Sequence, residues 1–535
     1  MNMAGHGCVA LLVLVFIETP AHAQSCRPLQ VRNPDGNYIV PGVMGDIPYS
    51  GNLALDAYVQ PNSARRPSVV VIHGGGWSSG SRVAHVGQIL ELLARAGYNW
   101  FSLDYRLGGL ARYEESLADV RGALAFIRCR APELGIDPNR LVLLGEDTGA
   151  QMAALLAASD STGVVGAVLV GGFYGQAAVA TVSPGLDHDV VVRASPGSRV
   201  TKGMPPLLVV HGGADTEAPA AQARSYCSGV TEAGGRCTYI EVEGASHRSE
   251  NWFPTQWNYK RAIVEWLPSL GRAQASPPRV RGGRLLKDIP YSPPSHLKLD
   301  AYVPVSRKPL PAVIVVHGGG WEAGDKVTYV TPLFEPLSRA HVAWFSIDYR
   351  LTPEFTLEDQ LKDLRQAIRF VRAEHKRFNI DPARIVLVGE SASGQMVTQV
   401  AAEDGRQVAG VVSFYGVYDF DTMVTDASPR SLLVRLFRRA VLDDEARSEL
   451  RRYSPLFRAH RNMPPVLLVN GTGERLWAQG QAFARRLTEL GVPHEVIALE
   501  GAPHGLENWE GRPEWQHYKR RVVDWILRVT DTAGR

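Results

Sequence analysis

A serine, a histidine and a glutamate in the second half of the chain are the residues best suited to covalent chemistry. Ser391 lies in RIVLVGESASGQM, where a predicted strand turns sharply into a helix and exposes a hydroxyl at the sheet edge. A serine hydroxyl needs a base, and His504 in GAPHG follows a later predicted strand. Glu474 in VNGTGERL can orient that histidine and stabilise its charged form. The order serine, acid, histidine predicts that Ser391 attacks as a nucleophile, with His504 as base.

A run of glycines completes this predicted site. HGGGW at 317–321 directly follows the predicted strand PAVIVV. Glycine lets backbone N–H groups approach a carbonyl oxygen without interference from a side chain. We expect the N–H groups of Gly319, Gly320 and Ala392 to form an oxyanion hole, which stabilises the charge that develops on an ester oxygen under attack.

The sequence is a duplication, because motifs of the first half recur in order in the second. HGGGW at 73–77 and LVLLGEDTGAQM at 141–152 both recur 244 residues later, the second as IVLVGESASGQM. We place the first repeat at 24–270, a linker rich in proline, glycine and arginine at 271–284, and the second repeat at 285–535.

Each repeat alternates predicted strands and helices. Runs such as VAWFSIDY and RIVLVGE are apolar without alternation, which is typical of strands covered on both faces. Apolar residues three and four apart predict a helix over 357–378. The sequence therefore predicts an α/β fold class, with two tandem repeats that are each a mostly parallel, doubly wound sheet flanked by helices.

Composition and the N-terminus indicate an exported globular chain. The 535 residues are 45% hydrophobic and 21% charged, which suits two globular domains. The net charge of +3 is too small to favour a nucleic acid or a membrane surface as partner. An apolar run, Cys8–Ile17, precedes Ala-His-Ala at 21–23, so residues 1–23 are predicted to be a signal peptide, with an N-terminal membrane anchor as the alternative.

Removal of residues 1–23 would leave four cysteines, all in the first repeat. An even number of cysteines in an exported chain predicts two disulfides. Their spacing favours Cys227 with Cys237, which leaves Cys26 for Cys129. We expect no metal, because the cysteines and histidines lack the spacing of a zinc site.

The first repeat keeps most of the site but lacks the serine. Asp215 and His247 stand where the acid and the base are expected, and Asp147 replaces the nucleophile. Two hypotheses are open: an inactive copy, or a carboxylate nucleophile of the kind that haloalkane dehalogenases and epoxide hydrolases use. We expect loss of activity, because glycine N–H donors aimed at a carbonyl oxygen would not help a carboxylate attack saturated carbon.

HGGGW, DYRL, the GESASG turn and the late GAPHG resemble bacterial carboxylesterases of the hormone-sensitive-lipase and feruloyl-esterase type, in both repeats. The resemblance implies an α/β-hydrolase fold and a serine–acid–histidine triad that needs no cofactor. Two departures are Ser393, where glycine is usual, and Glu474, where aspartate is commoner.

This resemblance and the predicted export imply a secreted or periplasmic enzyme. Its substrates are expected to be acetyl or feruloyl-type esters of carbohydrates or small molecules. An arylformamidase-like amide hydrolase and a non-catalytic carbohydrate-binding protein are the alternatives. An extra segment at about 428–461 is expected to cover the site, with Arg435, Arg438 and Arg439 on a solvated helix face rather than bound to an acidic sugar.

Overall fold

The computed structural model describes residues 27–33, 39–60, 67–159, 161–270, 282–423, 434–439 and 441–533. The predicted signal peptide, Cys26 and residues 271–281 of the predicted linker lie outside these ranges. None of the described helices is both long enough and apolar enough to cross a bilayer.

The first repeat contains one eight-stranded sheet. Its strands are β1 (Met44–Ser50), β2 (Leu53–Tyr58), β3 (Ser68–Ile72), β4 (Asn99–Leu103), β5 (Leu141–Glu146), β6 (Val164–Val170), β7 (Leu207–Gly212) and β8 (Cys237–Val242). Their order is β1-β2-β4-β3-β5-β6-β7-β8. The β1–β2 and β2–β4 pairs are antiparallel and the other pairs are parallel.

The second repeat contains the same sheet. Its strands are β9 (Gly283–Ser292), β10 (Leu297–Pro304), β11 (Leu310–Val316), β12 (Ala343–Ile347), β13 (Ile380–Glu390), β14 (Gly410–Phe414), β15 (Val466–Gly471) and β16 (His494–Leu499). The order β9-β10-β12-β11-β13-β14-β15-β16 matches that of the first sheet. The two pairs at the β9 end are antiparallel and the other pairs are parallel.

Helices flank both sheets. In the first repeat they are α1 (Gly87–Arg95), α2 (Tyr113–Cys129), α3 (Ala131–Leu134), α4 (Thr148–Ser159), α5 (Gln176–Val182), α6 (His188–Ala194), α7 (Ala220–Glu232) and α8 (Asn258–Trp266). In the second they are α9 (Phe334–Arg339), α10 (Leu357–Ala373), α11 (His375–Phe378), α12 (Ala392–Asp404), α13 (Asp444–Arg452), α14 (Pro455–Arg458), α15 (Trp477–Leu490) and α16 (His517–Ala533). The helix predicted over 357–378 is thus divided at Glu374 into α10 and α11.

The strands are buried on both faces, which explains their unbroken apolar sequences. In β11, Val313 and Val315 pack in the cluster that contains α9 and α16, whereas Ile314 and Val316 pack against α10 and α12. Residues of a strand alternate between its faces, so both faces need apolar side chains when helices cover both. The predicted fold of two tandem, mostly parallel, doubly wound sheets is confirmed.

One predicted disulfide is confirmed. Cys227 of α7 is bonded to Cys237 of β8, with their Cα atoms 5.4 Å apart. Cys129 is also in a disulfide. Because Cys26 lies outside the described residues, its pairing with Cys129 stays a prediction.

The two repeats pack through equivalent surfaces. The Thr331 hydroxyl donates to the carbonyl of Val83 at 2.8 Å. Gly87, the equivalent of Thr331, lies so close to the carbonyl of Val327, the equivalent of Val83, that a Cβ atom would be 2.5 Å from that oxygen. Each contact is therefore repeated with the partners exchanged, which is the property of a two-fold interface.

Candidate active site

The end of β13 positions Ser391. This residue has φ 56° and ψ −117°, a strained conformation, and α12 begins at the next residue. Strand and helix are so close that a Cβ atom on Gly389 would lie 2.4 Å from the carbonyl oxygen of Ser393. A serine held at such a turn presents its hydroxyl at the carboxyl edge of the sheet.

Ser393, which replaces the usual glycine, supports this turn. Its buried hydroxyl donates to the carbonyl of Val316 in β11 at 2.7 Å and accepts from the N–H of Glu390 at 2.8 Å. The hydroxyl thereby joins the turn to the strand that leads into the glycine loop. This departure from the family pattern therefore adds hydrogen bonds at the strand-to-helix turn of residues 389–393, here called the elbow, and does not disrupt it.

The structure brings Ser391, His504 and Glu474 into one chain of hydrogen bonds. His504 Nε2 lies 2.9 Å from Ser391 Oγ, and His504 Nδ1 lies 3.0 Å from Glu474 Oε2. The Glu474 side chain is 1% exposed, and it also accepts from the N–H of Leu476 at 3.1 Å. Glu474 follows β15 and His504 follows β16, so the carboxyl ends of three parallel strands position the three side chains.

The glycine loop after β11 lies beside this chain. Gly319 and Gly320 have positive φ values of 95° and 62°, and a Cβ atom on Gly319 would lie 2.2 Å from the carbonyl oxygen of Ala323. Ala392 is the first residue of α12, where N–H groups have no partner within the helix.

The first repeat shows what its glycine loop can bind. The N–H groups of Gly75 and Gly76, the equivalents of Gly319 and Gly320, donate to Asp147 Oδ2 at 2.8 and 3.1 Å. A carboxylate oxygen thus occupies the position that an ester oxygen would take. Gly319 and Gly320, the equivalents of these two donors, stay with Ala392 the predicted donors of the second repeat.

The other predicted residues of the first repeat are also brought together. His247 Nδ1 lies 2.8 Å from Asp215 Oδ2, and His247 Nε2 lies 3.3 Å from Asp147 Oδ1. Burial disfavours the imidazolium, but hydrogen bonds to the two carboxylates raise the pKa of His247 to about 10. Burial likewise opposes ionisation of Asp147, yet its hydrogen bond with His247 holds the pKa of Asp147 below the ordinary value. Both groups are therefore charged at neutral pH.

A buried glutamate beside each elbow was missed in the sequence. Glu390 Oε1 accepts from the N–H of Gly318 at 2.7 Å, and this bond fixes the glycine loop. Burial raises the pKa of Glu390 to about 7. The same burial raises the pKa of Glu146, its equivalent, to about 8. The dipeptide Gly-Glu occurs in both elbows, and this recurrence could have revealed the two glutamates.

The cavity at Ser391 is built from both repeats. It has a volume of about 650 Å³, and Ser246, Arg248 and Phe253 of the first repeat line it together with Arg475 of the second. By contrast, the cavity at Asp147 measures only about 10 Å³. The sequence of either repeat alone does not show that the two repeats share this lining.

A cluster of one histidine and two glutamates crosses between the repeats in this cavity. His85 Nδ1 lies 3.2 Å from Glu250 Oε1 and 3.3 Å from Glu507 Oε2. Burial disfavours the charged imidazole, but the two carboxylates raise the pKa of His85 to about 10. In the described part of the chain, these three residues are the group whose donor atoms, within 4.8 Å of one another, could hold a metal ion.

The arginines of the extra segment are at least partly exposed, in line with the expected solvated face, and they also contact the protein. Arg435 pairs with Glu322 at 2.6 Å, and Arg438 donates to the carbonyl of Glu354 at 2.7 Å. Arg439 pairs with two glutamates of α13. Carboxylates therefore hold Arg435 and Arg439, and a backbone carbonyl accepts from Arg438.

Two family models match the chain, one in each repeat. A family model described as alpha/beta hydrolase fold matches residues 313–508, and one described as BD-FAE matches residues 55–171. With the two sheets, the first match shows that the chain has the fold of two tandem α/β hydrolases. The matched regions contain the glycine loop and the elbow of each repeat.

The relatives of this tandem hydrolase include named esterases. Esterase LipC of Mycobacterium tuberculosis is 31% identical over 225 residues, which cover 36% of this chain and 56% of that protein. A probable isoprenylcysteine alpha-carbonyl methylesterase of Arabidopsis thaliana, ICMEL1, is 29% identical over 243 residues, which cover 41% and 50%. The chain thus spans about half the length of these curated relatives. A solved structure of a truncated carbohydrate esterase from gut microbiota has 22% identity and a TM-score of 0.40, covering 46% of this chain and 96% of its own.

Proposed function

We propose that this tandem α/β hydrolase is a serine carboxylic-ester hydrolase whose active site lies in the second repeat. The observation that carries the proposal is the hydrogen-bonded chain from Ser391 through His504 to Glu474. The glycine loop beside it supplies N–H donors for an oxyanion, and named esterases among the relatives support the reaction class.

The reaction follows from the geometry. His504 Nε2 accepts the proton of Ser391 as Oγ bonds to the ester carbonyl, and the N–H groups of Gly319, Gly320 and Ala392 stabilise the resulting oxyanion. The tetrahedral intermediate expels the alcohol, which takes the proton from His504, and an acyl-enzyme remains. Water then attacks by the same route and releases the acid. Glu474 keeps the imidazole in the tautomer that both steps require.

The lining of the cavity supports a carbohydrate or another hydroxyl-rich molecule as the alcohol. Asn251 lines it with an amide, and Ser246 adds a hydroxyl, whereas the amides of Gln256 and Asn508 bond to the protein itself. Such side chains donate and accept hydrogen bonds, as sugar hydroxyls require. Acetyl and feruloyl-type groups on carbohydrate or small alcohols are the proposed acyl esters.

Export of the protein is also part of the proposal. The sequence of residues 1–23 supports it, and so does the Cys227–Cys237 disulfide, since disulfides persist mainly in oxidising compartments. N-terminal sequencing of the protein recovered outside the cytoplasm should begin at Gln24. A mature protein that still starts at Met1 would contradict it.

A fluorophosphonate probe tests the assignment of Ser391. Mass spectrometry should find one adduct, on Ser391, and Ser391→Ala should remove both the adduct and the turnover of p-nitrophenyl acetate. Loss of a serine nucleophile lowers kcat by about 10⁵ to 10⁶-fold in hydrolases of this kind. Ser306→Ala, in an exposed loop, is the matched control and should retain both. An unlabelled, inactive wild type that is fully folded would refute the proposed function.

A further inference from the structure

Two arginines line the cavity at Ser391 without a carboxylate partner. Arg248 comes from the first repeat and Arg475 from the second. The guanidinium of Arg248 donates to Asn508 Oδ1 across the interface at 3.3 Å, which fixes its position. No carboxylate within the described ranges lies within 4.0 Å of either guanidinium.

Most carboxylates of the same cavity are already engaged. Glu322 pairs with Arg435, while Glu250 and Glu507 share the imidazolium of His85. Glu217 is exposed, so solvent weakens its field at Arg248. Burial opposes the charge of Arg248, but Glu250, Asp147, Glu217 and Glu507 act on it at longer range and raise its pKa. Because neither guanidinium contacts a carboxylate of the described residues, both can bind an anion that enters the cavity.

Comparison of the two repeats shows how Arg248 differs from the equivalent residue of the second repeat. It follows His247 as Gly505 follows His504, so the repeat without a serine carries an arginine where the other carries a glycine with φ 100°. Gly505 lines the cavity, and a Cβ atom on it would lie 2.9 Å from the amide nitrogen of Asn508. The arginine instead extends to the cavity of the other repeat, as its bond to Asn508 shows.

We propose that Arg248 and Arg475 form an anion subsite that binds a carboxylate on the ester substrate, such as that of an O-acylated sugar acid. A guanidinium binds carboxylates through paired, charge-assisted hydrogen bonds, and Arg248 is held ready for this. The subsite rests on the proposed function, because it selects among esters that Ser391 would cleave. It also gives the repeat without a serine a role in specificity.

Two aryl acetates of similar shape test the subsite. 4-Acetoxybenzoate carries a carboxylate, and 4-acetoxybenzamide carries a neutral group in its place. Arg248→Gln should lower kcat/KM for the benzoate about tenfold, mainly through KM, because a hydrogen bond between charged groups is lost. It should leave the benzamide unchanged within about twofold, as measured against the wild type. Arg475→Gln should act in the same direction. Arg512→Gln is the matched control, since Arg512 also crosses the interface, to the carbonyl of Ser78, but does not line the cavity.

Binding separates failure of the subsite from failure of the proposed function. Calorimetry with Ser391→Ala should show 4-acetoxybenzoate binding at least about tenfold more tightly than 4-acetoxybenzamide, and the Arg248→Gln change should abolish the difference. Equal binding of the two esters, or an equal loss of both in Arg248→Gln, would overturn the subsite. If the wild type hydrolyses neither ester but this binding preference persists, the subsite stands and the proposed function is wrong.

Discussion

Among single residues, Asp147 makes contacts that explain why the first repeat is stable without a serine at its elbow. Its carboxylate accepts from two glycine N–H groups and contacts an imidazolium, so it imitates the charge of a tetrahedral intermediate. A carboxylate bound in this way is a poor nucleophile, because every interaction that stabilises its charge opposes attack. The hypothesis of an Asp147 nucleophile is therefore unfavourable on geometry as well as on chemistry.

Replacement of this carboxylate tests its structural role. Asp147→Asn should lower the free energy of unfolding at pH 6 by about 1–3 kcal/mol, since it removes charge-assisted hydrogen bonds from buried N–H donors. The folded pKa of His247, about 10, exceeds the unfolded value near 6.5, so the part contributed by its ion pair with Asp147 is complete below pH 6.5 and is lost as pH rises towards 10. The hydrogen bonds from the glycine N–H groups do not change over this range. Urea titrations from pH 6 to 10 should show the difference between the two proteins becoming smaller by the part that the ion pair contributes. A constant difference would exclude the ion pair as the cause.

A second substitution of a single residue tests the role of Glu474. Glu474→Gln keeps the shape of the side chain but favours the wrong tautomer of His504, so kcat should fall by about 10⁴-fold with the fold intact. Initial rates with p-nitrophenyl acetate and a circular dichroism spectrum measure the two quantities. Glu489→Gln, in an exposed ion pair of α15, is the control. A loss below about tenfold would move the role of orienting acid away from Glu474.

At the scale of elements, the sequence was informative wherever one repeat contains all that a feature needs. The strands, the elbow and the order of Ser391, Glu474 and His504 follow from local patterns, because parallel strands all end at one edge. The support that Ser393 gives to the turn depends on the carbonyl of Val316, 77 residues earlier, and no local pattern reveals it. The spacing of apolar residues likewise did not predict the break between α10 and α11 at Glu374.

The Cys227–Cys237 link between α7 and β8 carries a prediction for that part of the first repeat. The bond closes a short loop, and a loop of this size contributes about 2–3 kcal/mol when the unfolded chain is constrained. The double change Cys227→Ala and Cys237→Ala should therefore lower the free energy of unfolding by that amount in thermal or urea denaturation. Dithiothreitol should destabilise the wild type further than it destabilises the variant. Equal sensitivity to the reductant would show that this disulfide contributes little.

At the scale of the whole molecule, the duplication explains why a repeat without a serine is retained. A two-fold arrangement brings the loop after β8 to the cavity of the second repeat, where Arg248 and Phe253 line the walls around Ser391. The cluster of His85, Glu250 and Glu507 joins the same loops with charges from both repeats. The sequence could not predict this, because motifs within each repeat say nothing about how the repeats pack. Activity should consequently depend on the interface between the repeats.

Two glycines allow that dependence to be measured. Gly87→Ala places a Cβ atom 2.5 Å from the carbonyl of Val327, whereas Gly122→Ala, on the exposed face of α2, meets nothing within 4 Å. Gly87→Ala should cost about 1–3 kcal/mol at the interface and lower kcat/KM for p-nitrophenyl acetate, while Gly122→Ala should gain up to about 1 kcal/mol from helix propensity. Calorimetry and initial rates on both variants measure this. If Gly87→Ala separates the repeats into two unfolding transitions and keeps full activity, the shared cavity is not needed for catalysis.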